Sequence, residues 1–188
     1  MKKLIKILIS IVFIWTIDCY CQQKNNEKLD FKNSIEYSIE SVSNELNPLI
    51  KKINILFNDG DIDSLTMNDY HLCKSTINLN KHFVEKLVEV DNEINLKSGT
   101  IKYLEDCEKI LDIFILPVIK VLNYSEEIDR NKIIDGISLI ETSLKQTTDL
   151  SQSLDEFCLK YNLSRRMRDF DKNVFKEKIE KLKSELNN

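Results

Sequence analysis

His71 and His82 are the only histidines in this chain, and Cys73, Cys107 and Cys158 are the cysteines that follow residue 21. These five side chains could bind a soft metal or activate a nucleophile, so their spacing comes first. The histidines stand eleven residues apart; on one helix they share a face but lie about 16 Å from each other, too far for a common ion. Cys73 is two positions from His71, and on a helix their side chains diverge by about 200°, so no Cys–His nucleophile forms there. No Glu-x-x-His pair, His-Glu-x-x-His, C-x-x-C or Gly-rich phosphate loop occurs, which removes the usual di-iron, zinc, redox and nucleotide signatures. The stretch Asn58-Asp59-Gly60-Asp61-Ile62-Asp63 invites a calcium reading. With Gly60 at the sixth loop position, however, the first, third and twelfth fall on Ile55, Phe57 and Thr66, which supply no carboxylate. A helix-ending turn, with Gly60 left-handed, is the better reading. No catalytic residues, metal ligands or cofactor are expected.

The elements that would carry these residues are helices. Gly occurs three times and Pro twice in 188 residues, so turn punctuation is scarce. Ile35, Ile39, Val42, Leu46, Leu49 and Ile53 step by four and three along a first helix over about 28–57, with Pro48 set to bend it. Thr66 followed by Asp69 reads as a capping box opening a second helix. Its apolar face is read as Leu72, Cys73, Thr76, Ile77, Leu79, Phe83, Val84, Leu87, Val88 and Val90. A third helix from about Asn95 turns Ile101, Leu104, Cys107, Leu111, Phe114 and Val118 inward. Its stretch "IFILPVIKVL" is apolar on nearly every side, and Pro117 should kink it. A fourth helix, capped by Ser125, carries Ile133, Ile137, Ile140, Leu144, Leu154 and Cys158 inward; Gly136 within it either marks a close helix contact or simply costs about 1 kcal/mol against Ala. Ser164 can cap a short fifth helix with Met167, Phe170, Val174, Leu182 and Leu186 along one edge. The fold class is all-α: an up-and-down antiparallel four-helix bundle over 28–163 with a charged C-terminal helix over 164–188. On that arrangement Cys73, Cys107 and Cys158 sit at heights of about 10, 22 and 48 Å along the bundle, whereas a disulfide needs Cα atoms within about 7 Å. Three separate, buried thiols are predicted.

The start of the chain gives an address. Met1-Lys2-Lys3-Leu4-Ile5-Lys6 leads into an apolar run from Ile7 to Ile17 that is too short to span a bilayer, the pattern of a secretory signal peptide over 1–21 with a linker over 22–27. Cutting after Cys21 puts Cys19 and Cys21 in the two small-residue positions and begins the mature chain at Gln22. Lipidation at Cys19 is the alternative, against which Asp18 stands where a small residue is required. The protein is therefore expected to be exported, periplasmic or extracellular, with lipid anchoring to the envelope as the alternative and membrane contact only in that case.

Removing residues 1–21 takes away three of the 27 basic and one of the 31 acidic side chains, leaving a net charge of −6. That balance excludes the basic footprint of a nucleic-acid binder. The tail runs against it. Residues 165–188 hold eight basic and five acidic side chains, and Arg165, Arg166 and Arg168 form either a docking patch for an acidic partner or a solvated face folded back on the acidic bundle. Phe114, Pro117 and Val118 could line an apolar pocket if the kink at Pro117 opens one.

Three stretches carry a resemblance: "FNDGDIDSL" between helices, "LPVIKVL" with its proline, and "LDEFCLKYNL", whose Phe157-x-x-Lys160-Tyr161-Asn162 closes the last long helix. Together, over about residues 30–163, they resemble a family of small uncharacterised bacterial surface proteins, often lipoproteins. The resemblance implies a helical cell-envelope protein without known activity and transfers no site residues; the poor lipidation box and the added tail depart from it. The expected function is noncatalytic binding of a protein partner at the envelope through helix faces. Two rivals are a carrier of an apolar small molecule between the third and fourth helices, and an inhibitor or immunity protein.

Overall fold

The computed structural model describes residues 26–52, 66–124 and 130–166. The expectations placed on the signal segment, the Asn58–Asp63 turn, the Ser125 cap and the helix after Met167 lie outside the described residues. Within them the chain is all-helical, with no strand.

Helix α1 spans residues 26–52. Ile35, Ile39, Val42, Leu46 and Leu49 are all buried along it, as the four–three spacing requires, and the helix continues through Pro48. Helix α2 (Met67–Lys86) opens on a complete capping box: the Thr66 side chain accepts from the Asp69 amide, and the Asp69 carboxylate accepts from the Thr66 amide at 2.9 Å. Two of the first-turn amides that a helix leaves unpaired are thereby answered.

Helix α3 (Leu96–Ile110) begins without a cap from its own Asn95, whose backbone is left-handed at φ 53° and whose side chain makes no capping bond. Glu89 substitutes. One of its carboxylate oxygens accepts from the Lys97 amide at 2.8 Å, and the other from the amides of Val90 and Asp91. After Ile110 the rod widens into a π turn, Leu111–Ile115, and resumes as α4 (Leu116–Tyr124). The π turn ends two residues before Pro117, which lacks an amide and crowds the carbonyl four residues back. A single wide turn is a recognised way for a helix to accommodate such a break in its ladder.

Helix α5 (Arg130–Lys160) runs for 31 residues. It stops at Asn162, left-handed at φ 53°, where the Leu163 amide bonds back to the Cys158 carbonyl at 2.8 Å and the Asn162 amide to that of Leu159 at 3.3 Å. This is a Schellman ending with Asn in place of Gly. It turns the chain off the helix axis, and Leu163 joins the edge of the core.

One apolar cluster joins all these helices, with Phe31, Ile35, Ile77, Leu104, Ile115, Ile119, Leu154 and Phe157 among its members. Polar bonds tie the helices in pairs: Lys52 to Asp69, Ser41 to Asn80, Lys74 and Tyr70 to Asp112, and Lys81 to Glu105 and Glu108. Gly136 of α5 is buried against Phe114 of the π turn, which decides between the two readings its position left open in favour of the close contact.

Candidate binding face

The second helix departs from its sequence reading. Tyr70, Cys73, Ile77, Asn80 and Val84 are buried, whereas Leu72, Leu79, Phe83 and Val88, expected to face inward, are 57%, 69%, 43% and 80% exposed. The reason is geometric. At about 100° per residue, an apolar set that includes Leu72 beside Cys73 and Phe83 beside Val84 is two stripes, and only one can meet the core. The burial of Asn80 between Ile77 and Val84 marks where the core side lies; its side-chain amide donates to the Thr76 carbonyl at 2.9 Å and lies 3.3 Å from Ser41 Oγ on α1.

The outer stripe is compact. Leu72, Leu79 and Phe83 fall within about 40° of one another around the helix, with Thr76 half-buried between them and exposed Ser75 alongside. On α1, Tyr37 is 61% exposed. Scattered surface leucines are ordinary, but several large apolar side chains at helical spacing are the composition of a surface that another helix can cover.

The reactive side chains present a different picture. Cys73, Cys107 and Cys158 are all buried and unbridged. Burial pushes the Cys73 thiol up to about 12, with nearby Glu45 adding to it. Burial likewise raises Cys107 to about 12, against a hydrogen bond with Tyr103 that pulls the other way. Tyr103 is itself raised by burial, and its hydroxyl sits 3.1 Å from Ser43 Oγ. Thiols so far above their usual range are packing groups, since the thiolate is the reactive form. His71 and His82 are both exposed; His71 lies edge-on to Tyr70, and His82 Nδ1 is 3.8 Å from Glu85. No group of three or more His, Cys, Asp or Glu that could hold a metal ion occurs among the described residues.

Phe114 and Val118 are buried in the core cluster and Pro117 is half-buried; the ring of Phe114 is taken up by its contact with Gly136. Arg165 folds back on α5, its guanidinium 2.5 Å from Asp155 and 2.9 Å from Ser151, and Arg166 is exposed. Arg168, Cys19, Cys21 and Gln22 lie outside the described residues.

Sequence reasoning passed over two polar centres. Asp91, which lies between the apolar patterns of the second and third helices, accepts from the amides of Glu93 and Ile94, from the Tyr161 hydroxyl at 2.8 Å and from Lys160 at 2.7 Å. The Lys160 ammonium, then the Tyr161 hydroxyl and the two amides, hold its carboxyl well below the usual carboxylate range against the opposing effect of burial. Lys32 and Glu36 on α1 are the second, each about 1% exposed and 3.0 Å apart. Nothing in a local pattern marks them, because their other partners are about 130 residues away.

No helix among the described residues is long and apolar enough to cross a membrane. No family model, curated protein or solved structure matches this chain.

Proposed function

We propose that the protein is an exported, noncatalytic helical-bundle protein of the cell envelope that binds a protein partner through the outer face of α2. The observation that carries this reading is the exposed stripe Leu72, Leu79 and Phe83. The bundle is read as up-and-down and antiparallel. Support comes from the order of the cross-links: Lys52 pairs with Asp69 and Ser41 with Asn80, so position falls along α1 as it rises along α2. In that arrangement Tyr37 comes level with Phe83, which widens the apolar face across the seam between α1 and α2. A partner helix presenting apolar residues three, four and seven apart fits such a face. Export rests on the basic, briefly apolar start of the sequence, and a bundle that buries its own thiols and orders its charges in ion pairs leaves binding as its available chemistry.

The test places a photo-crosslinking residue at Ser75, beside the stripe, and the same residue at Lys145 on the exposed side of α5 in cells of the source organism. A discrete adduct from position 75, lost when Leu79→Ser and Phe83→Ser are added and absent from position 145, is the expected result. Adducts that are equal at both positions, or indifferent to the two serines, overturn the reading. Intact mass of the exported chain tests the address: a start at Gln22 is expected, and a mass raised by acyl chains on Cys19 overturns the soluble form.

A further inference from the structure

The deepest charges among the described residues face a piece of main chain. Lys32 and Glu36 lie one turn apart on α1, each about 1% exposed. The Lys32 ammonium donates to the Ser164 carbonyl at 2.6 Å and stands 3.0 Å from Glu36 Oε2, while Glu36 Oε1 accepts from the Arg166 amide at 2.9 Å. A carbonyl and an amide two residues apart are what one edge of an extended chain presents. Both contacts therefore read backbone, and neither reads a side chain.

The segment that fills this site is delivered to it. Asn162 ends α5 in the left-handed conformation and turns the chain away. Arg165 is then pinned to Asp155 and Ser151 from the α5 side. Ser164 and Arg166 are exposed, so polar bonds to α1 hold them where burial does not. A buried ion pair is a weak source of stability, because desolvation offsets most of its attraction. Placed here, it supplies one donor and one acceptor at fixed separation, a task that apolar residues cannot perform.

We infer that Lys32 and Glu36 form a clamp for an extended polypeptide backbone, filled in this protein by Ser164–Arg166, and that the clamp decides whether the C-terminal segment is attached to the bundle. Its chemistry is independent of the α2 face. Releasing it frees the backbone of 164–166, leaving the Arg165 side chain on Asp155 and Ser151 as its tie to α5 and Arg166 available to an acidic partner.

Limited trypsin digestion of the purified chain, with cleavage sites mapped by mass spectrometry, reads the clamp directly. In the double variant Lys32→Met with Glu36→Leu, apolar groups of similar volume fill the space, an exchange that buried pairs commonly tolerate. Cleavage after Arg165 and Arg166 is expected to accelerate on the order of tenfold or more, the loss that follows from removing charge-assisted hydrogen bonds. Cleavage after Lys97 and Lys109, and the far-ultraviolet circular dichroism, should stay unchanged. Equal cleavage of wild type and variant after Arg165 and Arg166 overturns the clamp. Should the variant lose its helical signal, hydrogen exchange on the wild-type chain decides: protection of the Arg166 amide by tenfold or more supports the clamp, and exchange at the rate of an unstructured peptide sinks it.

Discussion

Gly136 on α5 and Phe114 in the π turn approach so closely that a β-carbon on the glycine would stand 2.6 Å from the ring's Cδ2 and 2.8 Å from the Phe114 β-carbon. The second distance matters more than the first. A ring edge can swing aside, but a β-carbon moves only with its backbone, so the helices themselves would have to part. The π turn supplies Phe114 and α5 supplies the space.

Gly136→Ala is therefore expected to destabilise the protein, even though Ala is the better helix former by about 1 kcal/mol. Overpacking of about 1–3 kcal/mol should exceed that gain. Urea denaturation of a double-mutant cycle separates the two effects. In a Phe114→Gly background both the ring and the β-carbon are gone, and Gly136→Ala should become neutral or stabilising. The same destabilisation in both backgrounds would mean that the contact with Phe114 is not what limits the glycine.

A second expectation concerns acid. The Asp91 carboxyl is held below its ordinary value, first by Lys160, then by the Tyr161 hydroxyl and the amides of Glu93 and Ile94. A carboxylate depressed in the folded state contributes stability that is fully present above its unfolded value, near 3.8, and is lost as pH falls below it. Lys160 is raised in turn, first by its hydrogen bond to the Asp91 carboxylate and then by that to the Glu93 carboxylate, so its share is present below 10.5 and fades as pH rises beyond it. Asp91→Asn should cost about 1–3 kcal/mol at neutral pH, the range for losing charge-assisted bonds at a buried acceptor. Denaturation midpoints measured from pH 7 down to pH 2 should fall less steeply in the variant than in the wild type. Parallel curves would remove Asp91 as a source of the acid sensitivity.

The thiols give a third. With Cys73 and Cys107 pushed up to about 12 by burial, roughly one part in ten thousand of either is thiolate at pH 8. Ellman's reagent at that pH should leave both unmodified in the native protein and label both promptly in 6 M guanidinium, with sites assigned by mass spectrometry. Labelling in native buffer then reports opening of the core between α2 and α3 rather than surface reactivity. Rapid labelling of Cys73 with helicity intact would contradict the packing described here.

What the sequence disclosed follows the range of the interactions. The α1 stripe from Ile35 to Leu49 and the Thr66–Asp69 box are local patterns, repeated or closed within a turn, and both stand in the structure. The second face of α2 was missed, its residues being read inward with the rest, although adjacent apolar pairs such as Phe83-Val84 carry the signal, since neighbours on a helix point about 100° apart. Burial of Asn80 could not be read, because it depends on Ser41 across the seam. Lys32 and Glu36 look like an ordinary surface pair at i,i+4 spacing, and only the return of the chain at Ser164–Arg166 makes them interior. The π turn is likewise a compromise between the missing amide of Pro117 and the packing of Leu111, Phe114 and Ile115. Pattern predicts a break there without choosing its form.

The sharpest contrast lies on α2, where Ile77 is fully buried and Leu79, two residues on, is 69% exposed. Ile77→Ala removes methylenes from a packed core and should cost about 2–5 kcal/mol. Leu79→Ala removes a similar volume from the surface and should change stability by no more than about 0.5 kcal/mol. Thermal and urea unfolding of the two variants, compared with Leu72→Ala and Phe83→Ala, measures which stripe the bundle needs for itself. If the outer three cost as much as Ile77, the stripe is occupied in the folded chain and cannot serve as a binding face. If they cost little, three large apolar side chains stand on α2 without contributing to the stability of the fold, and the stripe is free for the binding role proposed for it.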